Sequence, residues 1–100
     1  MPIYAVFSKL TDKGATTILR KPDRILEVNK ELEEMGVSVL SQFVVLGEWD
    51  FLNIVEAEDD KTLVAALANL NMRGTIHTAT YKLIPVEEFI DYLKSSKKED

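Results

Sequence analysis

The chain has 100 residues and a formal net charge of −5, from 12 basic and 17 acidic side chains. A hydrophobic content of 46% is typical of one folded domain, and the absence of cysteine excludes disulfides and zinc–thiolate sites. The acidic balance argues against nucleic-acid binding through phosphate contacts, and no apolar run approaches the roughly 20 residues of a membrane span.

The N-terminal half predicts one strand and two helical segments. Apolar and β-branched residues over Ile3–Leu10 are typical of a strand. Thr11 and Asp12 are residue types that cap helices, so we expect the segment Asp12–Leu19 to form one or two helical turns. A second helix begins near Pro22 and ends at Gly36. Its single apolar stripe is formed by Ile25, Val28, Leu32 and Met35.

The middle of the chain predicts a β-hairpin followed by a helix. Two apolar runs, Ser38–Leu46 and Phe51–Ala57, flank the turn-forming residues 47–50. Asp59 or Asp60 caps the next helix, whose apolar face contains Leu63, Ala66, Leu67 and Leu70.

The C-terminal part predicts a fourth strand and a last helix. Gly74 separates the preceding helix from Thr75–Ile84, which is rich in Thr, Ile and Tyr, as strands are. Pro85 ends this strand. The amphipathic helix that follows has an apolar face formed by Val86, Phe89, Ile90 and Leu93.

This order of elements predicts an α+β fold of the ferredoxin-like type. A βαββαβ chain forms an antiparallel sheet in the spatial order fourth, first, third, second strand, with both long helices on one face, and here a C-terminal helix is added. We expect a single domain over residues 1–93 and a polar C-terminal tail over 94–100. The sheet face without helices should be buried by a second copy of the chain, in a homodimer or a higher oligomer.

Strand alternation divides the sheet residues into two sets, one for each face. We expect the wholly apolar set to face the helices; it comprises Ile3, Ala5, Phe7, Phe43, Val45, Leu52, Ile54 and Ala79. We expect the mixed set to form the open face; it comprises Tyr4, Val6, Ser8, Gln42, Val44, Phe51, Asn53, Val55, Thr78 and Thr80.

Several residues are candidates for ligand binding. Asn53 interrupts an apolar run on a central strand, and a buried amide there needs a hydrogen-bond partner. It either bonds across a dimer interface, to Gln42 or Thr80, or faces a polar pocket. We expect a small cavity at the dimer interface near Tyr4, Asn53, Thr78 and Thr80.

Trp49 and Asp50 are further candidates. In one interpretation they close the end of the sheet, with Asp50 accepting backbone N–H bonds. In the other, Trp49 stacks on a ligand that Asp50 orients. We expect Tyr4, Asp50 and Tyr81 at one end of the sheet.

His77 is the only histidine, which excludes a site of several His ligands within one chain. We expect it near Ser8 or Glu56, at the end of the sheet opposite Trp49. We assign no catalytic residue and expect neither a metal nor a cofactor.

The segment Gly47-Glu48-Trp49-Asp50 resembles the Gly-x-Tyr-Asp signature of the GYD-domain family of small bacterial and archaeal proteins. Trp49 stands where that family usually has Tyr. Further short segments agree with the family in order and spacing; they are 2–7, 9–14, 55–60, 75–80 and 85–89. The resemblance implies a dimeric α+β-barrel assembly and no catalytic residues.

These observations favour a cytoplasmic, homo-oligomeric domain that binds or senses a small molecule. The first alternative is a cofactor-independent isomerase or monooxygenase, by analogy with other dimeric α+β barrels. The second alternative is a purely structural interaction module. The sequence identifies no ligand and leaves open whether the protein is an enzyme.

Overall fold

The fold is described here from a computed structural model, over residues 1–96. Its strands are β1 (Ile3–Leu10), β2 (Val37–Val44), β3 (Phe51–Ala57) and β4 (Ile76–Leu83). Its helices are α1 (Asp12–Arg20), α2 (Arg24–Glu34), α3 (Asp60–Asn71) and α4 (Val86–Ser96). The predicted order of elements is confirmed, and only the ends of some elements move, by one to three residues.

The strands form one antiparallel sheet in the order β2-β3-β1-β4, as predicted. Tyr4 in the central strand β1 lies between Val55 of β3 and Lys82 of β4. The two central strands therefore come from the two halves of the chain, and α1 to α3 connect the strands. The α+β, ferredoxin-like class is established by this topology.

Side-chain caps define where the helices begin. The Thr11 hydroxyl accepts a hydrogen bond from the Gly14 backbone N–H at 3.1 Å, at the start of α1. The Asp59 carboxylate accepts one from the Thr62 N–H at 2.9 Å, at the start of α3. Both caps satisfy backbone N–H groups that a helix leaves without partners in its first turn.

The core lies between one face of the sheet and helices α2 and α3. Tyr4, Val6 and Val55 from the sheet are at most 3% exposed, and they pack with the helix residues Leu32, Leu63, Ala66 and Leu70. The expected assignment of the two faces was therefore wrong, because the mixed set faces the helices. Alternation shows which residues share a face, but the chirality of the strand–helix–strand connections decides which face the helices cover.

A β-bulge in β2 changes the faces along this strand. Val39 pairs with Val55 and Ser41 with Ile54, so Leu40 is the extra residue. Val37 and Val39 face the helices before the bulge, and Gln42 does so after it. A strand without this insertion would turn Gln42 to the opposite face.

Helix α4 follows β4 after a connection of residues 84–85, and it has no buried side chain. It runs to Ser96 and so includes the first residues of the predicted polar tail. The rest of that prediction, residues 97–100, lies outside the described part of the chain.

Candidate functional site

The hairpin end at residues 47–50 is attached to the end of β1. The Asp50 carboxylate accepts a hydrogen bond from the Leu10 backbone N–H at 2.8 Å, and the Asp50 N–H donates to the Ser8 carbonyl at 2.9 Å. The Lys9 ammonium donates to the Glu48 carbonyl at 2.8 Å. The Trp49 ring lies on Phe7, with 5.8 Å between the ring centroids. Asp50 thus accepts a backbone N–H bond, as the first of the two interpretations for Trp49 and Asp50 expects.

The prediction that Asp50 and His77 lie at opposite ends of the sheet was wrong, although His77 does lie near Ser8. His77 pairs with Lys9 and therefore lies at the Asp50 end, whereas Tyr4 lies with Glu56 and Lys82 at the other. Antiparallel pairing is the reason, because the end of β1 meets the beginnings of β3 and β4. Asp50 and Tyr4 are thus too far apart to act as a proton-transfer pair.

A cavity of about 90 Å³ lies between the sheet and the helices. We call it the helix-side cavity. Most of its lining is apolar and comes from β1, β3 and the facing sides of α1, α2 and α3. Its polar lining residues are Ser8, Asn29, Gln42, Asn53 and Thr78. The structure therefore brings Asn53 and Thr78 together, on the helix side of the sheet rather than at the face expected to form a dimer.

Three of the polar lining side chains have hydrogen-bond partners. Asn29 and Gln42 form a reciprocal amide pair, with N–O distances of 2.9 and 3.2 Å. The Asn71 amide donates to the Thr78 hydroxyl at 3.0 Å and to the Leu67 carbonyl at 2.7 Å. Asn53 differs from them: its Oδ1 is the one buried side-chain N or O atom within residues 1–96 that has no hydrogen-bond partner.

Tyr4 belongs to a separate polar cluster at the other end of the sheet. Its hydroxyl donates to the Asp60 carboxylate at 2.6 Å, and the Lys82 ammonium lies 3.0 Å from the same carboxylate. The bond to Asp60 is the main reason that the pKa of Tyr4 is raised to about 12. The bonds from Tyr4 and then Lys82 hold the pKa of Asp60 below its usual value. This cluster joins β1, α3 and β4.

The remaining candidate, Thr80, lies opposite Val6 on the edge strand β4 and is exposed. Sequence analysis missed Asn29 and Asn71, which bond to residues of the cavity wall. A signal for both was available, because Asn29 is three residues before Leu32 and Asn71 four residues after Leu67, on the same helical faces.

The other face of the sheet carries no helix among the described residues. This open sheet face is formed by Ile3, Ala5, Phe7, Phe43, Leu52, Ile54, Ala79 and Tyr81. The most exposed of them are Phe43 at 53% and Tyr81 at 58%. Tyr81 also packs edge-on against Phe7, with 6.0 Å between the ring centroids. The result is an apolar surface that includes an aromatic pair.

Helix α4 presents a second apolar surface. Val86, Phe89, Ile90 and Leu93 are between 42% and 69% exposed. Their spacing of i, i+3, i+4 and i+7 places them on one side of the helix. Acidic residues, Glu87, Glu88 and Asp91, lie off this stripe. We call the four apolar residues the α4 stripe.

Two kinds of feature are absent from the described part of the chain. None of the helices within residues 1–96 is long and apolar enough to cross a membrane. In the same residues, no three side chains of His, Cys, Asp or Glu are grouped so that they could hold a metal ion.

Comparison with known proteins gives two matches in sequence. A family model described as GYD domain matches residues 4–93. A relative from Thermus thermophilus, named glutamine synthetase and cystathionine beta-lyase binding protein, is 50% identical over 95 residues. That match covers 94% of this chain and 100% of the relative. The likeness therefore extends over almost the whole chain.

Two crystal structures are similar in fold. MtbAldR gives a TM-score of 0.59 at 18% identity, over 84% of this chain, and the chain spans 52% of MtbAldR. TTHA0845 from Thermus thermophilus gives a TM-score of 0.55 at 17% identity, over 85% of this chain and 95% of that one. Identities this low establish the shared fold alone.

Proposed function

The chain belongs to the GYD domain family, and we propose that it is a binding protein that docks on an enzyme. The name of its Thermus relative describes that protein as one that binds two enzymes. The partner that we propose is a glutamine synthetase or a cystathionine beta-lyase. The observation that supports this proposal most directly is the α4 stripe, an apolar helix surface that nothing in residues 1–96 covers.

The spacing of the α4 stripe suits a known mode of recognition. An amphipathic helix that enters a groove uses apolar anchors at i, i+3, i+4 and i+7, which is the spacing of Val86, Phe89, Ile90 and Leu93. The helix lies outside the core, so it can be bound without unfolding the sheet. The acidic residues beside the stripe would remain at the rim of such an interface.

The open sheet face supports a second part of the proposal, self-association. A sheet of four strands of about eight residues offers roughly 500 Å² of flat area. Protruding side chains enlarge this area towards the roughly 800 Å² per partner of a standard interface. We propose that a second copy of the chain covers this face, which leaves the α4 stripe for the enzyme.

A small-molecule function is the second candidate, and the helix-side cavity favours it. The cavity has apolar walls and a few polar groups, as ligand sites commonly do. An enzymatic function has less support. The Asp50 carboxylate, a group able to transfer protons, bonds to a backbone N–H, and it does not line the cavity.

The enzyme-docking proposal is tested with purified partners. The chain is immobilised, and binding of purified glutamine synthetase and cystathionine beta-lyase is measured by biolayer interferometry. Phe89→Glu, which places a charge in the α4 stripe, should weaken binding at least about tenfold. Ser95→Glu places the same charge on the other side of α4 and should leave binding unchanged. Absence of binding to both enzymes, or equal effects of the two substitutions, would contradict the proposal.

A further inference from the structure

Asn53 in the middle of β3 lines the helix-side cavity and carries an unused, buried hydrogen-bond acceptor. Its backbone neighbours across the sheet are Val6 and Gln42. Gln42 is already paired with Asn29, and Thr78 accepts a bond from Asn71. The Asn53 Oδ1 atom is buried and has no partner in the described residues. The cavity wall therefore has one acceptor that no neighbouring side chain satisfies.

An acceptor of this kind calls for an explanation. A buried polar atom without a partner destabilises the fold, and such atoms are rare in proteins. A cavity of about 90 Å³ has the volume of a small organic molecule or of roughly three waters.

We propose that the helix-side cavity binds a small neutral molecule with an apolar body and one hydrogen-bond donor, such as a hydroxyl or an N–H group, which bonds to Asn53. This inference rests on the small-molecule function named above as the second candidate and is independent of enzyme docking. The apolar walls enclose the body of the ligand, and the single acceptor orients it.

The surroundings of the cavity explain why the donor should be neutral. A neighbouring hollow of about 280 Å³ shares part of its lining with the cavity and has Lys13, Arg24 and Arg73 at its edge. Arg73 and Arg24 bind Glu31, at 2.5 and 3.4 Å. The bond from Arg73 is the main reason that the pKa of Glu31 lies below its usual value, so this carboxylate stays ionised. Arg24 also lies 3.3 Å from Glu27, so three cations face two carboxylates and this hollow keeps a small positive charge, which disfavours an ammonium ligand, as do the apolar walls.

The test uses three ring compounds of similar size: pyrrole, which has a neutral N–H donor; furan, which has none; and pyrrolidine, which is an ammonium ion at neutral pH. Each is titrated into the ¹⁵N-labelled chain, and affinities are measured from the amide shifts of residues lining the cavity. Pyrrole should bind about three to ten times more tightly than furan, since one hydrogen bond separates them. Pyrrolidine should bind most weakly.

Asn53→Leu removes the acceptor and keeps a side chain of similar size. It should abolish the preference for pyrrole over furan, whereas Asn69→Leu, the same change at an exposed position of α3, should retain it. The comparison of the three compounds on the unmodified chain does not depend on whether a variant folds. Equal binding of pyrrole and furan would overturn the proposed ligand class but leave the small-molecule function standing. No shift at the cavity with any compound would overturn both.

Discussion

Trp49 and Asp50 show how a short signature segment acts at the scale of single residues. Asp50 satisfies the Leu10 N–H, and Trp49 covers Phe7 at the edge of the open sheet face. The carboxylate and the indole thus hold the hairpin end on β1. The contact with Phe7 is made by the aromatic ring and needs no hydroxyl group. Trp can therefore take the place of the Tyr that the family usually has here.

Replacing Trp49 tests this role. Trp49→Ala should lower the free energy of unfolding by about 1–2 kcal/mol, since an aromatic pair on a partly exposed surface is lost. It should weaken self-association more strongly, because Trp49 adjoins the open sheet face. Chemical denaturation and light scattering measure the two effects, and Trp49→Phe, which keeps an aromatic ring, is the control. A loss of about 3–5 kcal/mol with unchanged association would instead indicate a buried core residue.

The raised pKa of Tyr4 predicts that the protein loses stability at alkaline pH. Its pKa is about 12 in the fold and 10.0 ordinarily, so the folded state holds the phenol proton more tightly than the unfolded chain does. This stabilisation is complete below pH 10 and is lost as the pH rises towards 12. Thermal unfolding followed from pH 9 to 12 should therefore show a fall in Tm that Tyr4→Phe reduces. Tyr81→Phe leaves the Tyr4–Asp60 bond intact and should keep the full decrease; equal curves for both variants would refute the assignment.

At the scale of elements, α1 depends on a close contact with the loop before β4. The Thr11 N–H donates to the Thr75 carbonyl at 2.9 Å, and the Thr11 hydroxyl donates to the Gly74 carbonyl at 2.8 Å. Gly14 lies on the same side of the helix. A Cβ atom built on Gly14 would lie 2.1 Å from the Thr75 oxygen, so only glycine permits this approach.

Gly14→Ala should therefore destabilise the fold by about 1–3 kcal/mol, although alanine is the better helix former. Urea denaturation gives the difference in the free energy of unfolding. Gly47→Ala is the matched control, because the nearest atom to its Cβ is 3.9 Å away; we expect a change within about 0.5 kcal/mol. A Gly14→Ala variant as stable as the control would show that α1 can move away from the loop at little cost.

At the scale of the whole molecule, the open sheet face and the α4 stripe are two separate apolar surfaces. We propose that the first binds a second copy of the chain and the second an enzyme. Phe43→Glu places a charge on the open sheet face at a side chain that is 53% exposed. Val64→Glu, at a 63% exposed position of α3, makes the same chemical change away from that face. Comparing these two variants distinguishes a specific loss of self-association from a general effect of the added charge.

Light scattering at micromolar concentration should give at least twice the chain mass of 11.3 kDa for the unmodified protein and for Val64→Glu. Phe43→Glu should give the monomer mass, because a charge desolvated in an apolar interface is strongly unfavourable. A monomeric mass for the unmodified chain would contradict the self-association proposal.

The sequence by itself determined the elements and their order in the sheet. The stripe from Ile25 to Met35, the turn residues 47–50 and the alternation in the strands are local signals, and they suffice for a βαββαβ topology. Asn53 could also be recognised locally, since an amide within an apolar strand is unusual.

Only the tertiary structure decided how these elements face one another. The chirality of the connections put Tyr4, Val6 and Val55 under the helices, although the other set is the more uniformly apolar. The bulge at Leu40 turned Gln42 towards Asn29. The Asn53 acceptor has no partner in the described residues. Antiparallel pairing brought Asp50 to Leu10 and kept it away from Tyr4. Each of these outcomes depends on contacts between residues distant in the chain, which periodicity along the sequence does not contain.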